Sequence, residues 1–482
     1  MYLGLDLGTS GLKALVVGAD GASITTAHAE YEVSQPNANW SEQDPDDWIA
    51  ACKSVFQQLR KTLGDEFKNI RAISLSGHMH GAVVVDKNGK SLRPCILWND
   101  MRSEHEAAQL DANPAFREQS GNIVFPGFTA PKLMWIKNNE PDTFKSIHKV
   151  MLPKDYLLFW MTNRYVSDMS DAAGSSWLNV GTRAWSQTLI DASEMRMDQM
   201  PELVEGSQII GQLSREIADE FGLASDVKII AGGADNAVAA CGVGAAQEGQ
   251  GFVSLGTSGV LLTAKNGYHP APETAVHTFC HAIPERWYQM GVMLSATNSL
   301  NWLADTLNMK PSALSALCQG PITGPSDVIF LPYLTGERTP HNDAEIGGAF
   351  IGLKANTTPA DLCQAVMEGV AFALRDCLEA LKSTGTKLDE ILAIGGGTKS
   401  AFWLESLATI LNLQLALPEK GDFGAALGAA RLAMIGDGAD IATTLVSPTI
   451  ATRIAPDQNL QPKYEAAYQR FKKLYPLLKE TT

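Results

Sequence analysis

The chain has 482 residues, more than one hydrophobic core usually serves, so two or more domains are expected. Hydrophobic residues make up 45%, with 42 glycines, 23 prolines and no low-complexity tract, a composition that excludes a disordered or fibrous chain. Asp plus Glu number 53 against 38 Lys plus Arg, and the net charge of -15 argues against an extended basic surface for nucleic acid. An anionic ligand would need local help from backbone amides, helix N-termini, an isolated cation or a divalent metal. Seven scattered cysteines, Cys52, Cys95, Cys241, Cys280, Cys318, Cys363 and Cys377, form no CxxC pair, which argues against a disulfide framework or a thiolate zinc site. Asp6 lies inside the first apolar run, no basic leader precedes it, and no apolar stretch is long enough for a membrane. A cytoplasmic protein without a membrane partner is expected.

From residue 1 to about 100, short β-like segments dominate, with hairpin turns at Gly18-Ala-Asp-Gly21 and Asp86-Lys-Asn-Gly89. One helix interrupts them over Asp44 to Leu63, with Asp44 as N-cap, Pro45 in the first turn and Trp48, Ile49, Val55, Phe56 and Leu59 at helical spacing. Residues 100 to 225 read as mostly helical and rich in aromatics, as an inserted substrate subdomain. Val227 to Gly233 then reads as a buried strand entering a Gly-rich turn, with a helix starting near Ala237. Glycines 242, 244, 249 and 251 mark the domain boundary, giving domains 1–246 and 247–482, with a hinge near 242 to 251. In the second domain a strand-turn-strand covers 251 to 263, and a helix spans Pro359 to Thr384. The run Leu388 to Ile394 ends in Gly395-Gly396-Gly397 before an amphipathic helix through Phe402. Gly421-Asp-Phe-Gly-Ala-Ala-Leu-Gly-Ala-Ala suggests close helix packing, and the tail from 462 to 479 turns Tyr464, Tyr468, Phe471 and Leu474 to the core.

A repeated loop carries the first functional signal: Leu7-Gly8-Thr9-Ser10-Gly11 recurs as Leu255-Gly256-Thr257-Ser258-Gly259, each between two strand-like runs. Glycine lets backbone N–H groups approach an anion, so two such turns in related domains suit a polyphosphate, while each alone is also an ordinary hairpin turn. Asp6 precedes the first loop and reads either as a Mg²⁺-side carboxylate or as a turn residue bonding local amides. Lys13 follows on the next strand, as a phosphate neutraliser or a solvated lysine. Asp235 and Asn236, after Gly232 and Gly233, stand at the C-terminal end of a buried strand, where α/β folds bind ligands. Asp235 fits a general base taking a substrate hydroxyl's proton, and also a helix cap; a helix N-terminus would lower its pKa. His78 and His80 share one face if the strand continues through them, yet no partner cluster supports zinc there or at His277 and His281. Gly395, Gly396 and Gly397 offer bare backbone to a base or phosphate. Neither GxxxxGK[ST] nor an acidic-tailed GxGxxG occurs, which argues against Walker-type and Rossmann sites.

With these residues in view, the chain resembles the FGGY family of carbohydrate kinases, in the actin, sugar kinase and Hsp70 superfamily, over essentially its whole length. Asp6-Leu-Gly-Thr-Ser resembles the family's first phosphate loop, Leu255-Gly-Thr-Ser its second and Ile394-Gly-Gly-Gly its adenosine motif. Gly127 to Ile136 and Gly348 to Glu368 resemble its two signatures. The resemblance implies an α/β fold of two actin-like, ribonuclease H-like domains around a central cleft. It implies a cytoplasmic enzyme that uses ATP and Mg²⁺. Nucleotide would lie on Gly8, Thr9, Ser10, Lys13, Gly256, Thr257, Ser258 and Gly395 to Gly397; Asp6 would face the metal. Met79, His80, Asp235 and Asn236 would contact the sugar, with Asp235 as base. Within the family, Trp40 to Pro45, Met79-His80-Gly81, Trp98 to Asp100, Leu152 to Tyr156, Ser167 to Gly174 and Gly336 to His341 resemble members that phosphorylate D-xylulose in pentose catabolism. His78 departs from a usual Gln. The alternatives are another ketopentose or a sugar acid as substrate, or a nucleotide-gated binding protein, against which the chain starts directly at the first loop. Aromatic helices of the second half offer a surface for a homodimer.

Overall fold

The computed structural model describes residues 1–419 and 424–481. Two mixed sheets organise it. In the first the strands lie in the order Ile209–Gln212, Lys228–Ala234, Ala72–Gly77, Tyr2–Leu7, Gly11–Val17 and Ser23–Glu30. In the second the order is His277–Cys280, Trp287–Met293, Gly259–Lys265, Gly251–Leu255, Glu390–Ile394, Gln414–Pro418 and Ile450–Ile454. Each repeats one plan. A leading strand turns through Gly-Thr-Ser into an antiparallel partner, which a third strand extends. Two parallel strands lie on its other side, and an antiparallel strand follows them. The repeated loop is thus the outward sign of a duplicated α/β fold.

The leading strand is buried on both faces: Leu3, Leu5 and Leu7 are fully buried on one, and Tyr2 and Gly4 are buried on the other. The helix Pro45–Leu63 starts where Asp44 accepts the N–H of Asp46 (3.0 Å), and its buried face carries Trp48, Cys52, Val55, Phe56 and Leu59. The helix Pro359–Ser383 starts with a reciprocal Thr358–Asp361 cap and forms the core of the second lobe. In the tail, Tyr464, Tyr468 and Phe471 are buried in that same core, as their spacing predicts.

The lobes exchange helices at their junction. Ala425–Gly436 follows a strand of the second sheet yet lies on the first, its Leu427, Ala430, Ala433 and Met434 packing with Tyr2, Leu15, Val17, Ala72 and Ile230. Gly4 makes this approach possible, because a Cβ there would stand 2.0 Å from the Ala426 carbonyl oxygen. Reciprocally, Asp235–Gly242 follows the first sheet and packs with Phe252, Leu262 and Tyr288 of the second. The two helices meet at Gly428, where a Cβ would lie 1.8 Å from the Val238 oxygen. Arg431 donates to the terminal carbonyls of Cys241 (3.0 Å) and Gly242 (2.9 Å), a cation placed at a helix C-terminus. The close helix packing expected of the Gly/Ala run therefore holds from Gly424 onward; Gly421, Asp422 and Phe423 lie outside the described residues.

Residues 100 to 225 depart from the expected mostly helical insert. Helices such as Thr129–Asn139 and Pro153–Thr162 alternate with two- and three-residue strands, among them Lys149–Met151, Val166–Asp168 and Glu202–Val204. Strands this short leave no alternating pattern to read.

Candidate active site

The C-terminal ends of three neighbouring strands form the floor. Asp6 stands opposite Lys13 across the hairpin and beside Ser76 in parallel register, while Gly233 and Ala234 stand beside Ser76 and Gly77. Gly232 has φ 74° at a register shift, and a Cβ there would sit 1.7 Å from the Leu75 oxygen, so only glycine fits. This bend delivers Asp235 as the first residue of its helix rather than as the cap, which is Ala234. Asp235 Oδ1 accepts the backbone N–H of Asn236 (2.6 Å) and its side-chain amide (2.9 Å).

The helix terminus does not set the acidity of Asp235. Burial first, and the Asp6 charge second, raise its carboxyl to about 7, against the opposing hydrogen bonds from Asn236. The expected lowering is corrected: loss of water outweighs a helix end. Burial also raises Asp6, which the Ser76 hydroxyl and the Lys13 charge only partly offset. A buried carboxylate short of positive charge is a fitting neighbour for a hard divalent cation such as Mg²⁺, which takes oxygen ligands.

Met79 and His80 lie beyond the end of the Ala72–Gly77 strand. His80 has φ 71°, which breaks strand alternation, so the two histidines do not share a face. His78 packs edge-on to Trp48 (5.6 Å), whereas His80 stacks on Phe128 (4.4 Å). His80 Nδ1 lies 2.7 Å from the Gly174 carbonyl, which only accepts, so Nδ1 carries the proton and Nε2 is a bare acceptor. Burial lowers the ring's pKa to about 3, so it stays neutral at neutral pH. Lys132 donates to the His80 carbonyl (2.9 Å) and to that of Gly127 (2.6 Å), and Thr129 donates to the former (3.1 Å). His277 and His281 are core residues, His281 facing the Ala245 carbonyl at 3.1 Å.

Both Gly-Thr-Ser turns have their carbonyls tied back. In the first, Tyr31 donates to Gly8 (2.5 Å) and Gln43 to Thr9 (2.7 Å), while the Trp98 indole donates to the Thr9 hydroxyl (3.0 Å). In the second, the N–H groups of Ala296 and Thr297 hold Thr257 and Gly256 (both 2.9 Å). Among the described residues no acceptor takes the N–H groups of Thr9, Ser10, Thr257 or Ser258, so four donors remain for an anion. Ser10, Lys13, Thr257 and Ser258 are exposed. Gly395, with φ 96°, lies on the Leu255 carbonyl; Gly396 is open, whereas Gly397 is buried against the Leu255 side chain.

Residues 1–242 match the FGGY family of carbohydrate kinases, N-terminal domain, and residues 251–436 its C-terminal domain. The chain belongs to this family. This FGGY kinase is 43% identical to a xylulose kinase of Escherichia coli (strain K12), over 99% of each chain. In structure it is similar to a "xyloylose kinase" from Brucella ovis at 52% identity and TM-score 0.98, covering both chains fully. It also resembles xylulose kinase from Rhodospirillum rubrum, at 27% identity and TM-score 0.93 over 100% and 99% of the two chains. It is therefore a phosphotransferase acting on carbohydrate with ATP, built on the two-domain actin-like fold. No helix among the described residues is long and apolar enough to cross a membrane.

The braces Tyr31, Gln43 and Trp98 were not legible in the sequence, nor was a fully buried charge cluster beneath the site. There Lys154 meets Asp155 (2.5 Å), Asp168 (3.0 Å) and Asp171 (3.7 Å), and the stem of Lys154 packs where Gly77 has no side chain. All four residues lie in Leu152 to Tyr156 and Ser167 to Gly174, two stretches that carried the family resemblance, but nothing in the sequence showed that they meet.

Proposed function

We propose that this FGGY kinase phosphorylates D-xylulose to D-xylulose 5-phosphate at the expense of ATP in pentose catabolism. The full-length similarity to xylulose kinases supports this substrate, together with Met79, His80, Asp235 and Asn236 converging at one strand edge. Asp235 takes the proton as the sugar hydroxyl oxygen bonds to the γ-phosphorus and the bond to ADP breaks. Its carboxyl near 7 makes it a stronger base than a free aspartate, half ionised at neutral pH and increasingly so above it. Met79 and the neutral His80 orient the sugar, Nε2 accepting from a hydroxyl. The free amides of Thr9, Ser10, Thr257 and Ser258, with Lys13, hold the phosphates, and Gly395 and Gly396 lie against the adenosine. Mg²⁺, held through Asp6, would neutralise phosphate charge when bound.

The domain boundary is placed at 246/247, and closure about 242 to 251 excludes water from the reacting phosphate. Compaction in solution scattering with sugar and a nonhydrolysable nucleotide tests this. The seven cysteines are free thiols, in keeping with a reducing cytoplasm. For a homodimer through the second half, the support is Trp302, 38% exposed and stacked on Phe330 and Phe350; light scattering tests it. A coupled ADP-release assay over D-xylulose, D-ribulose, L-ribulose, L-xylulose, gluconate and glycerol tests the substrate. Preference for D-xylulose is expected; preference for another sugar overturns it.

A further inference from the structure

The segment Gly336-Glu-Arg-Thr-Pro-His has no role in the assignments above, yet it is firmly held. Glu337 Oε1 accepts the N–H groups of Leu294 (3.1 Å) and Arg338 (2.7 Å). Thr339 donates its N–H to Val292 (3.0 Å) and its hydroxyl to Ala275 (3.0 Å). Every one of these bonds fixes backbone and neighbours; none engages the Arg338 guanidinium. Its Cζ lies 3.9 Å from the centre of the Phe125 ring, and among the described residues no hydrogen bond or ion pair holds its fork. A partly buried guanidinium with its N–H groups unmatched is unfavourable until an acceptor arrives.

Arg338 belongs to the wall that carries His80. Phe125 packs edge-on to Phe128 (5.3 Å) and His277 (5.2 Å), and Phe128 stacks on His80. The Arg338 charge is felt at His80 and His277, whereas Asp235 feels Asp6, so Arg338 stands toward the His80 end of the site. The first lobe presents acceptors to the sugar: His80 Nε2 at this end and the Asp235 carboxylate at the other. A polyol hydroxyl donates one proton and also carries lone pairs that need donors. An acceptor-rich wall, whose one amide donor, Asn236, already donates to Asp235 (2.9 Å), satisfies half of that requirement.

We propose that Arg338 is a sugar-binding residue, its guanidinium fork donating to adjacent hydroxyl oxygens at the non-reacting end of the substrate, an assignment that rests on the sugar-kinase function above. Because Met79, His80 and Asp235 come from the first lobe and Arg338 from the second, the sugar itself ties the lobes together.

The test is isothermal titration of D-xylulose into wild type, Arg338→Met and Arg338→Lys, with steady-state kinetics and thermal unfolding alongside. Both variants should weaken sugar affinity and raise sugar KM by about 10- to 100-fold, the scale of a charge-assisted hydrogen bond, with ATP KM unchanged. Arg338→Lys keeps the charge and much of the stem over Phe125 but lacks the fork, so it serves if the Met variant fails to fold. A folded variant of either kind that binds D-xylulose within about twofold of wild type overturns the proposal. Wild type that neither binds nor turns over D-xylulose refutes the substrate assignment instead.

Discussion

Asp235→Asn should separate activity from stability in opposite directions. The substitution is isosteric and keeps one oxygen to accept the Asn236 N–H, so the local fold is preserved. Loss of a general base lowers kcat by about 10²- to 10⁴-fold. Stability moves the other way. The carboxyl titrates at about 7 when folded and at roughly 3.9 when unfolded, so the native state binds the proton more tightly. Between those values each pH unit costs wild type up to about 1.4 kcal/mol relative to the neutral asparagine, and above 7 the deficit is constant. Three units give about 4 kcal/mol, which partial exposure to the cleft reduces to roughly 2. The variant should therefore melt several degrees higher than wild type at pH 8 and within a degree or two near pH 4. Calorimetry from pH 4 to 9, paired with ADP release, reads both effects. Equal melting at pH 8, or retained turnover, would refute the assignment of Asp235 as a base made strong by burial.

Lys154→Met removes the one cation among three buried carboxyls and should cost about 3–5 kcal/mol at pH 8. The deficit should shrink toward pH 5, where the stranded carboxyls protonate; chemical denaturation at both pH values checks it. Tyr31→Phe deletes the bond to the Gly8 carbonyl and should raise ATP KM about fivefold with sugar KM unchanged. Gly428→Ala forces a methyl onto the Val238 oxygen and should sharply lower Tm or abolish soluble expression. Gly396→Ala, with open space at its Cβ, should leave Tm alone and raise ATP KM.

The duplicated architecture was legible because its evidence is local: two Gly-Thr-Ser turns, each bounded by apolar runs, and helices with their caps written beside them, as at Asp44. Asp235 was singled out by its position after two glycines, but the raised pKa of its carboxyl was not legible. That depends on Asp6, 229 positions earlier, and on how much water the closed packing removes. His78 and His80 misled for a different reason, since a single left-handed residue cancels the alternation that period-2 spacing assumes. Arg338 and Lys132 were invisible as site residues because each acts on His80 from a distant segment, through an aromatic stack or a carbonyl that no spacing rule connects.

The crossed helices at the junction make the two halves obligate companions during biosynthesis. A ribosome that has released residues 1–246 has made a sheet whose inner face still lacks Leu427, Ala430, Ala433 and Met434, and that surface stays bare until residue 436 emerges. Either half expressed alone should be sticky and chaperone-dependent, and mixing the two should restore solubility. A gene split placed between the two matched domains, after residue 242 and before 251, would sever a shared core.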